Sequence, residues 1–456
     1  MKITKDLTKG NIYVNFFLYA IPLIFASLLS QAYDVIDGVI AGKFIGDYAL
    51  GAVGATSSFD TMLNTMFSGF AVGFSVYVAR LFGQKDYARM KMDIINVLCF
   101  LTIIIVATGL LCIVFRQPLF RFLKVSDTIK EDALLYFTIC KAGYLVIIIN
   151  SVFVQILNSL GITSFSFYAS LLSAVLNIGG NLLSVTVFDL GIAGLAVSSV
   201  VSSAIVSLCY VWKLRQTFRE LSSPKLPFRF CFTSVRNSLR YSLTACLQQA
   251  TMYFAGLMIA PSVNAMGAAA TTGYAVINRF YNICAQSYQN SSKAVSSYTA
   301  QSIGAKKYAQ IRKGIFVGLL QGTLLLAPFV LVLSLFATPI ASVFFSDGYS
   351  GEALDYAVTF ASSFLPFIFI NLINNLTHSF LRGMGTMKTL VFSTLIGCLS
   401  RITATLILVP SMQMEGVFTG WIISWLIEAV FCFCIFCFRY RTVNMIARRA
   451  EESVIK

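Results

Sequence analysis

The stretch Phe82-Gly-Gln-Lys-Asp-Tyr-Ala-Arg-Met-Lys91 returns 221 residues later as Ile303-Gly-Ala-Lys-Lys-Tyr-Ala-Gln-Ile-Arg312. Two further echoes keep the same order. Ala49-Leu-Gly-Ala-Val-Gly54 is matched by Ala265-Met-Gly-Ala-Ala-Ala270, and Asn158-Ser-Leu-Gly161 by Arg382-Gly-Met-Gly385, at offsets of 216 and 224. Echoes in one order at a nearly constant offset mean that one structural unit has been used twice.

The surrounding composition says in which solvent. Hydrophobic residues make up 57% of the chain and charged ones 12%, with a mean hydropathy of +0.79; soluble domains carry about 25% charged residues. Forty Phe and twenty Tyr fit a lipid-facing surface. Spans need about 20 apolar residues each, and twelve such runs are read at 13–41, 49–80, 93–115, 133–157, 162–188, 191–212, 237–260, 266–301, 314–336, 354–380, 387–410 and 416–438. The polar start, Met1 to Asn11, leads into an apolar run too long for the apolar core of a signal peptide, so the first run is expected to be a retained span.

Charge orients the array. Of the Lys and Arg residues at the ends of the runs or between them, 25 fall in the N-terminal segment, the even-numbered connectors and the C-terminal tail, and five fall on the other side. This bias puts both termini in the cytoplasm and the chain in the plasma membrane. It also explains the net charge of +15 without nucleic acid, because the basic residues form no single face. Eleven cysteines, mostly within apolar runs, show no paired metal or disulfide spacing. No Gly-x-x-x-x-Gly-Lys-[Ser/Thr] loop occurs, so ATP-driven transport is not encoded. The expected fold is an all-α membrane protein of two six-helix lobes, residues 1–212 and 241–456, joined by a cytoplasmic linker at 213–240. Six is even, so the halves share one orientation and an axis along the membrane normal relates them.

Acids within the spans are the candidate machinery. A carboxylate at bilayer depth costs roughly 2.5–3.5 kcal/mol on the insertion scale and marks ion or proton pathways. In the first span Ser27, Gln31, Asp34 and Asp37 fall at i, i+4, i+7 and i+10, a single polar stripe. Asp60 lies at mid-depth in the second span as a relay or a substrate counter-charge. Asn278, Asn282, Gln286, Gln289 and Lys293 make a stripe in span eight, either interhelical glue or a cavity wall. Gln31, Asp60, Met252, Asn282 and Gln286 are the candidate substrate-cavity residues. Glu428 in span twelve and Arg401 in span eleven are expected to pair, and the lone His378 to be structural.

The stretch Asp37-Gly-Val-Ile-Ala-Gly-Lys-Phe-Ile-Gly46, the run Ala49–Gly54, the helix-end motif Leu81-Phe-Gly-Gln-Lys85, the repeat and the twelve runs together resemble the multidrug and toxin extrusion (MATE) family, in its bacterial and archaeal DinF-like branch. The resemblance implies an ion-coupled drug exporter that is not an enzyme. It also implies a proton or cation site in the first lobe. By motif, Asp37 is the first-span acid, Pro22 the proline at which that helix bends, Asn177 the span-five Asn and Ser199 the span-six hydroxyl. The family's span-five Asp falls on Asn181, a departure that leaves one fewer carboxylate. The family's other cation site falls among Gln248, Gln249, Asn371 and Asn374, where no acid stands, so it is not carried over.

The expected function is a secondary antiporter that exports small amphipathic, often cationic, compounds by alternating access between lobes. The coupling ion is a proton, with sodium as the alternative, and neither cofactor nor resident metal is expected. Asp34 belongs to the ion site if it turns inward. The partners are drug-like molecules and the bilayer, and the working state is a monomer. A flippase for lipid-linked saccharides is the alternative; it would need a strongly cationic cavity, which Arg279 and Lys293 favour and Asp34, Asp37 and Asp60 oppose. The charge bias also makes a prediction. A cysteine introduced by Lys225→Cys should be inaccessible to an impermeant thiol reagent added outside intact cells; labelling from outside would reverse the topology.

Overall fold

The computed structural model describes residues 6–123, 125–221, 230–345 and 351–455, with side chains excepted at 34–35, 47–48, 50, 56, 58 and from 439 onward. Regular structure among the described residues is helical throughout. The first half holds α1 (Ile12–Ile40), α2 (Asp47–Gln84), α3 (Tyr87–Val114), α4 (Arg116–Phe122), α5 (Lys130–Ala142), α6 (Tyr144–Ser159), α7 (Thr163–Thr186) and α8 (Gly191–Glu220). The second holds α9 (Phe232–Asn264), α10 (Ala268–Gly304), α11 (Ile311–Leu335), α12 (Ala337–Ser342), α13 (Glu352–Thr359), α14 (Ile368–Met384) and α15 (Met387–Ile455).

Nine helical segments among the described residues are long and apolar enough to cross a bilayer. Three features bring this to the expected twelve. Helices α5 and α6 form one span bent by 53°. The apolar part of α15 runs 52 residues and breaks at Gln413 (φ 50°, ψ −126°), which is enough for two crossings. Helix α10 has 37 residues and ample length, and it escapes the apolar criterion because of the polar stripe Asn278–Lys293.

The duplication is written into the backbone. Lys85 and Lys306 both take φ 59°, closing α2 and α10 in the left-handed conformation, 221 residues apart. Gly46 (φ 127°) and Gly267 (φ 101°) precede α2 and α10 at the same offset, in a region open only to glycine. Gly161 (φ 76°) pairs with Gly385 (φ 77°), and Asp189 (φ 49°) with Gln413 (φ 50°), each 224 apart. The short helices α4 and α12 begin at 116 and 337. Span four breaks at Gly143. Span ten breaks likewise, through a wide turn at Phe360–Phe364 and a tight one at Leu365–Phe367 that contains Pro366.

By its contacts the chain divides into two compact units, one containing Ile21–Cys246 and the other Leu7–Ala20 with Leu247–Lys456. Helix α1 therefore changes unit one residue before Pro22, whose ring nitrogen cannot donate to the Leu18 carbonyl. Of the expected linker, residues 213–220 continue α8 and 232–240 begin α9, while 222–229 lie outside the described residues.

Within the first unit the core follows helical spacing. Met90, Ile94, Val97, Leu101 and Ile105 form one buried stripe on α3 and pack on Phe74 and Val78 of α2, Val152 and Ile156 of α6 and Tyr210 of α8. On the far face of α3, Ile103, Leu110 and Val114 are exposed. Apolar residues thus lie on both faces, because lipid is as apolar as leucine and the helices are held by close packing and internal polar contacts. Gly73 shows how close: a Cβ there would fall 2.3 Å from the Tyr241 carbonyl oxygen and 2.6 Å from Ser242 Cα. In the second unit Trp421 is buried among Tyr281 (ring centroids 5.2 Å), Phe360 (5.9 Å) and Trp425 (6.1 Å). Substituting Gly73→Val forces α2 and α9 apart. We expect a loss of about 1–3 kcal/mol, read as a lower melting temperature in detergent, whereas an unchanged melting point would show that the two backbones can separate freely.

Candidate functional site

Four residues expected from the sequence to share a site form one hydrogen-bonded chain in the first unit. Asn181 Nδ2 donates to Asp37 Oδ1 at 2.6 Å and to Asn177 Oδ1 at 2.8 Å, and Asn177 Nδ2 donates to Ser199 Oγ at 3.0 Å. The local reason is helical spacing: 177 and 181 are one turn apart on α7, so both amides point the same way. Helix α8 lies close enough for this contact because a Cβ at Gly180 would already meet Ser198 at 3.1 Å. Asn177 and Asn181 are buried, and Asn181 Oδ1 has no hydrogen-bond partner among the described residues. The side chain of Asp34 lies outside those residues.

Ser199 also lines a cavity of about 500 Å³ within the same unit. Its wall is rich in hydroxyls and amides, including Tyr33, Tyr136, Tyr144, Asn64 and Asn150, with serines from α7 and α8. Asp60 of α2 reaches this cavity and pairs with Lys141 of α5, whose Nζ lies 2.6 Å from Asp60 Oδ1. Both residues line the cavity, with the lysine side chain 2% exposed and the aspartate 23%. The ammonium also lies 4.3 Å from the centre of the Tyr144 ring and 5.2 Å from that of Phe137, a second source of stabilisation for a desolvated cation. The break at Gly143 sets this geometry. It ends α5 just past Lys141 and starts α6 at Tyr144, and the Val200 side chain fills the space where a glycine Cβ would be, at 2.4 Å.

Sequence reasoning places Lys141 inside a span and gives it no role. Its signal was available, since a lone lysine at bilayer depth needs a counter-charge, but the counter-charge stands 81 positions upstream on another helix. Tyr33, Tyr136, Tyr144, Asn64 and Asn150 carried no such signal. Of the other expected cavity residues, Gln31 sits on α1 with a buried Nε2 that has no hydrogen-bond partner among the described residues. Met252 of α9 and Asn282 of α10 are exposed and Gln286 is half-buried, all three within the second unit. Pro22 lies inside α1.

The second unit holds a polar network on α14. Asn371 donates to the hydroxyls of Tyr281 and Tyr288, both at 3.0 Å, and Arg382 donates to Gln248 at 3.1 Å. The expected pairing of Glu428 with Arg401 is not what forms. Glu428 Oε1 lies 3.3 Å from His378 Nε2, and the Arg401 guanidinium lies 4.2 Å from the centre of the Trp421 ring. The cause is direction: residues 401 and 428 are on different segments of α15, on either side of the break at Gln413.

A model of the MatE family matches residues 22–183 and 244–407, most of both repeats. The probable multidrug resistance protein YoeA of Bacillus subtilis (strain 168) is 22% identical over 357 residues, 76% of either chain. The multidrug export protein MepA of Staphylococcus saprophyticus is 26% identical over 215 residues, 44% of this chain and 45% of its own. Among solved structures, the outward-facing conformation of a multidrug resistance MATE family transporter of the MOP superfamily superposes with a TM-score of 0.88 over 96% of this chain and 98% of the other, at 19% identity. A MOP superfamily transporter from Pyrococcus furiosus, described as having a binding pocket of reversed polarity, gives 0.85 over the same shares at 20% identity. At such identity the likeness is one of fold, and the fold is the two-lobed one of twelve spans.

The ion pair makes a prediction about stability. Lys141→Met leaves the half-buried Asp60 carboxylate without its cation and should cost up to about 3 kcal/mol. The double substitution Asp60→Asn with Lys141→Met removes both charges and should melt closer to wild type than Lys141→Met alone. A double variant less stable than either single one would show that the two residues are not coupled as a pair.

Proposed function

The chain belongs to the MatE family, and from that premise we propose that it is a secondary antiporter that exports small amphipathic, often cationic, organic compounds in exchange for inward-moving protons. The carrying observation is the chain Asp37–Asn181–Asn177–Ser199, with one carboxylate at its head, reaching a cavity wall at Ser199. An ionised Asp37 is an acceptor only, and Asn181 Nδ2 serves it. A protonated Asp37 carries an O–H, and Asn181 offers it an acceptor once its amide turns over, since its buried Oδ1 has no hydrogen-bond partner among the described residues. Proton uptake thus exchanges one hydrogen bond for another and removes a charge that lipid and packed protein both penalise.

Sodium is supported less well. It asks for a full shell of oxygens and for compensation of its charge, and Asn181 stands where an acid would supply a second negative charge. The flippase alternative needs a cationic cavity, and in the first unit Asp60 cancels Lys141. The relatives described as multidrug resistance and multidrug export proteins support the substrate class. In this reading α1 responds to the charge on Asp37, and Pro22, where the helix changes unit, is the place at which it bends. The ion can shift the balance of two states only by its differential affinity for them, so Asp37 must take its proton more tightly in the outward-open state. The protein works as a monomer in the plasma membrane with both termini cytoplasmic.

Ethidium transport by proteoliposomes tests this reading. Wild type should respond to an imposed pH gradient in sodium-free buffer, Asp37→Asn at equal incorporation should lose that response, and Asn181→Asp should gain sensitivity to sodium. Wild-type transport driven by a sodium gradient at fixed pH, with no response to a pH gradient, would overturn proton coupling.

A further inference from the structure

The only histidine in the chain and a mid-span glutamate meet in the second unit, far along the sequence from Asp37. We propose that Glu428 and His378 together form a second proton-binding site, contained within the second unit and distinct from the chain headed by Asp37. The two side chains are 12% and 9% exposed, and Glu428 Oε1 lies 3.3 Å from His378 Nε2. Nε2 is also 2.9 Å from Ser393 Oγ, which is itself 3.0 Å from Cys432 Sγ. The other carboxyl oxygen, Oε2, is 3.5 Å from Asn374 Nδ2, which also donates to the Trp425 carbonyl at 2.9 Å.

A second observation shows that room is kept for the carboxyl. A Cβ built at Gly397 would lie 2.8 Å from Glu428 Cδ and 2.9 and 3.0 Å from its two oxygens. The carboxyl group therefore sits in a notch that any residue but glycine would fill. Two helices supply the partners and a third segment supplies the notch, so the arrangement is built by the tertiary fold rather than by one helix face.

The neighbouring charges decide how many protons the pair exchanges. Helix α14 contributes Arg382, one turn from His378, and α15 contributes Arg401 with the thiols of Cys398 and Cys432. Helix α10 contributes Lys293, held by Asn290 at 2.8 Å, and the hydroxyls of Tyr281 and Tyr288. Helix α9 presents the neutral Gln248, and the charged residues of α11, Arg312 and Lys313, are in its first turn. With the Arg382 cation one turn from His378, a pair bearing two protons, and so one positive charge, is disfavoured. The pair cycles between a carboxylate beside a neutral imidazole and the same two groups sharing one proton. Without the proton, Ser393 donates to Nε2. With it, Nε2–H turns to Glu428 and Ser393 is released toward Cys432. One proton thus exchanges one hydrogen-bond partner of His378 for another and alters the contact between α14 and both segments of α15.

The chain carries its own reporters. Of its three tryptophans, Trp212 is exposed, while Trp421 and Trp425 are buried, the latter bonded through its carbonyl to Asn374. In purified Trp212→Phe protein, tryptophan emission should show a one-proton transition with pH over the range in which the protein elutes as folded. Glu428→Gln should abolish the transition, His378→Asn should abolish or displace it, and Gly397→Ala, which crowds the carboxyl, should displace it. Asp37→Asn should leave it in place, so failure of the Asp37 reading would not affect this one. Absence of any transition in Trp212→Phe would overturn the proposal. So would a transition that persists unmoved in His378→Asn and Gly397→Ala, whether or not Glu428→Gln folds.

Discussion

Lys141 is surrounded by protein with 2% of its side chain exposed, and its ammonium has one carboxylate, Asp60, within 2.6 Å. In a bilayer that contact is a requirement, because neither lipid nor packed helix offers a substitute for water around a charge. The same requirement runs through the molecule. Asn177, Asn181, Asn371 and Asn374 are buried, and each donates to another helix or along its own. Polar groups are drawn inward while Ile103, Leu110 and Val114 are left outside. The interior is therefore where chemistry can be placed.

The duplicated backbone has not kept duplicated chemistry. Positions 85 and 306, or 189 and 413, repeat a left-handed residue because a helix must end and turn at the same place in each half. Side chains are freer. At an offset of 221, Asp60 corresponds to Tyr281, and at 224, Asn177 and Asn181 correspond to Arg401 and Thr405. Thus the first unit carries Asp37 and the Asp60–Lys141 pair, and the second carries Glu428 with His378. Conformation repeats because it answers to sterics common to both halves; charge diverges because a buried ion needs only one local partner.

The chain Asp37–Asn181–Asn177–Ser199 was legible as a set of residues, since the motif around each resembles a known pattern and the i, i+4 spacing aligns the two asparagines. The Asp60–Lys141 pair was not. Nothing on α2 or α5 names the other helix, and the pairing depends on the bend at Gly143 that turns Lys141 toward α2. Glu428 failed in the instructive direction. Charge complementarity on adjacent spans suggested Arg401, yet the break at Gln413 directs the two residues to different neighbours, an imidazole and an indole.

What the sequence determined by itself is therefore whatever depends on solvent and on local geometry. Apolar length sets the spans, the Lys and Arg bias sets their expected orientation, and the repeated turn residues set the duplication, because each is a short-range property of the chain. The tertiary structure alone decided which buried polar group faces which. At 2.6 Å, Asp60 and Lys141 are joined through a bent helix and a glycine that admits Val200. Glu428 reaches His378 through a notch left by Gly397. Such contacts turn on shifts of an ångström between helices distant in sequence, a length that helical period and composition do not encode.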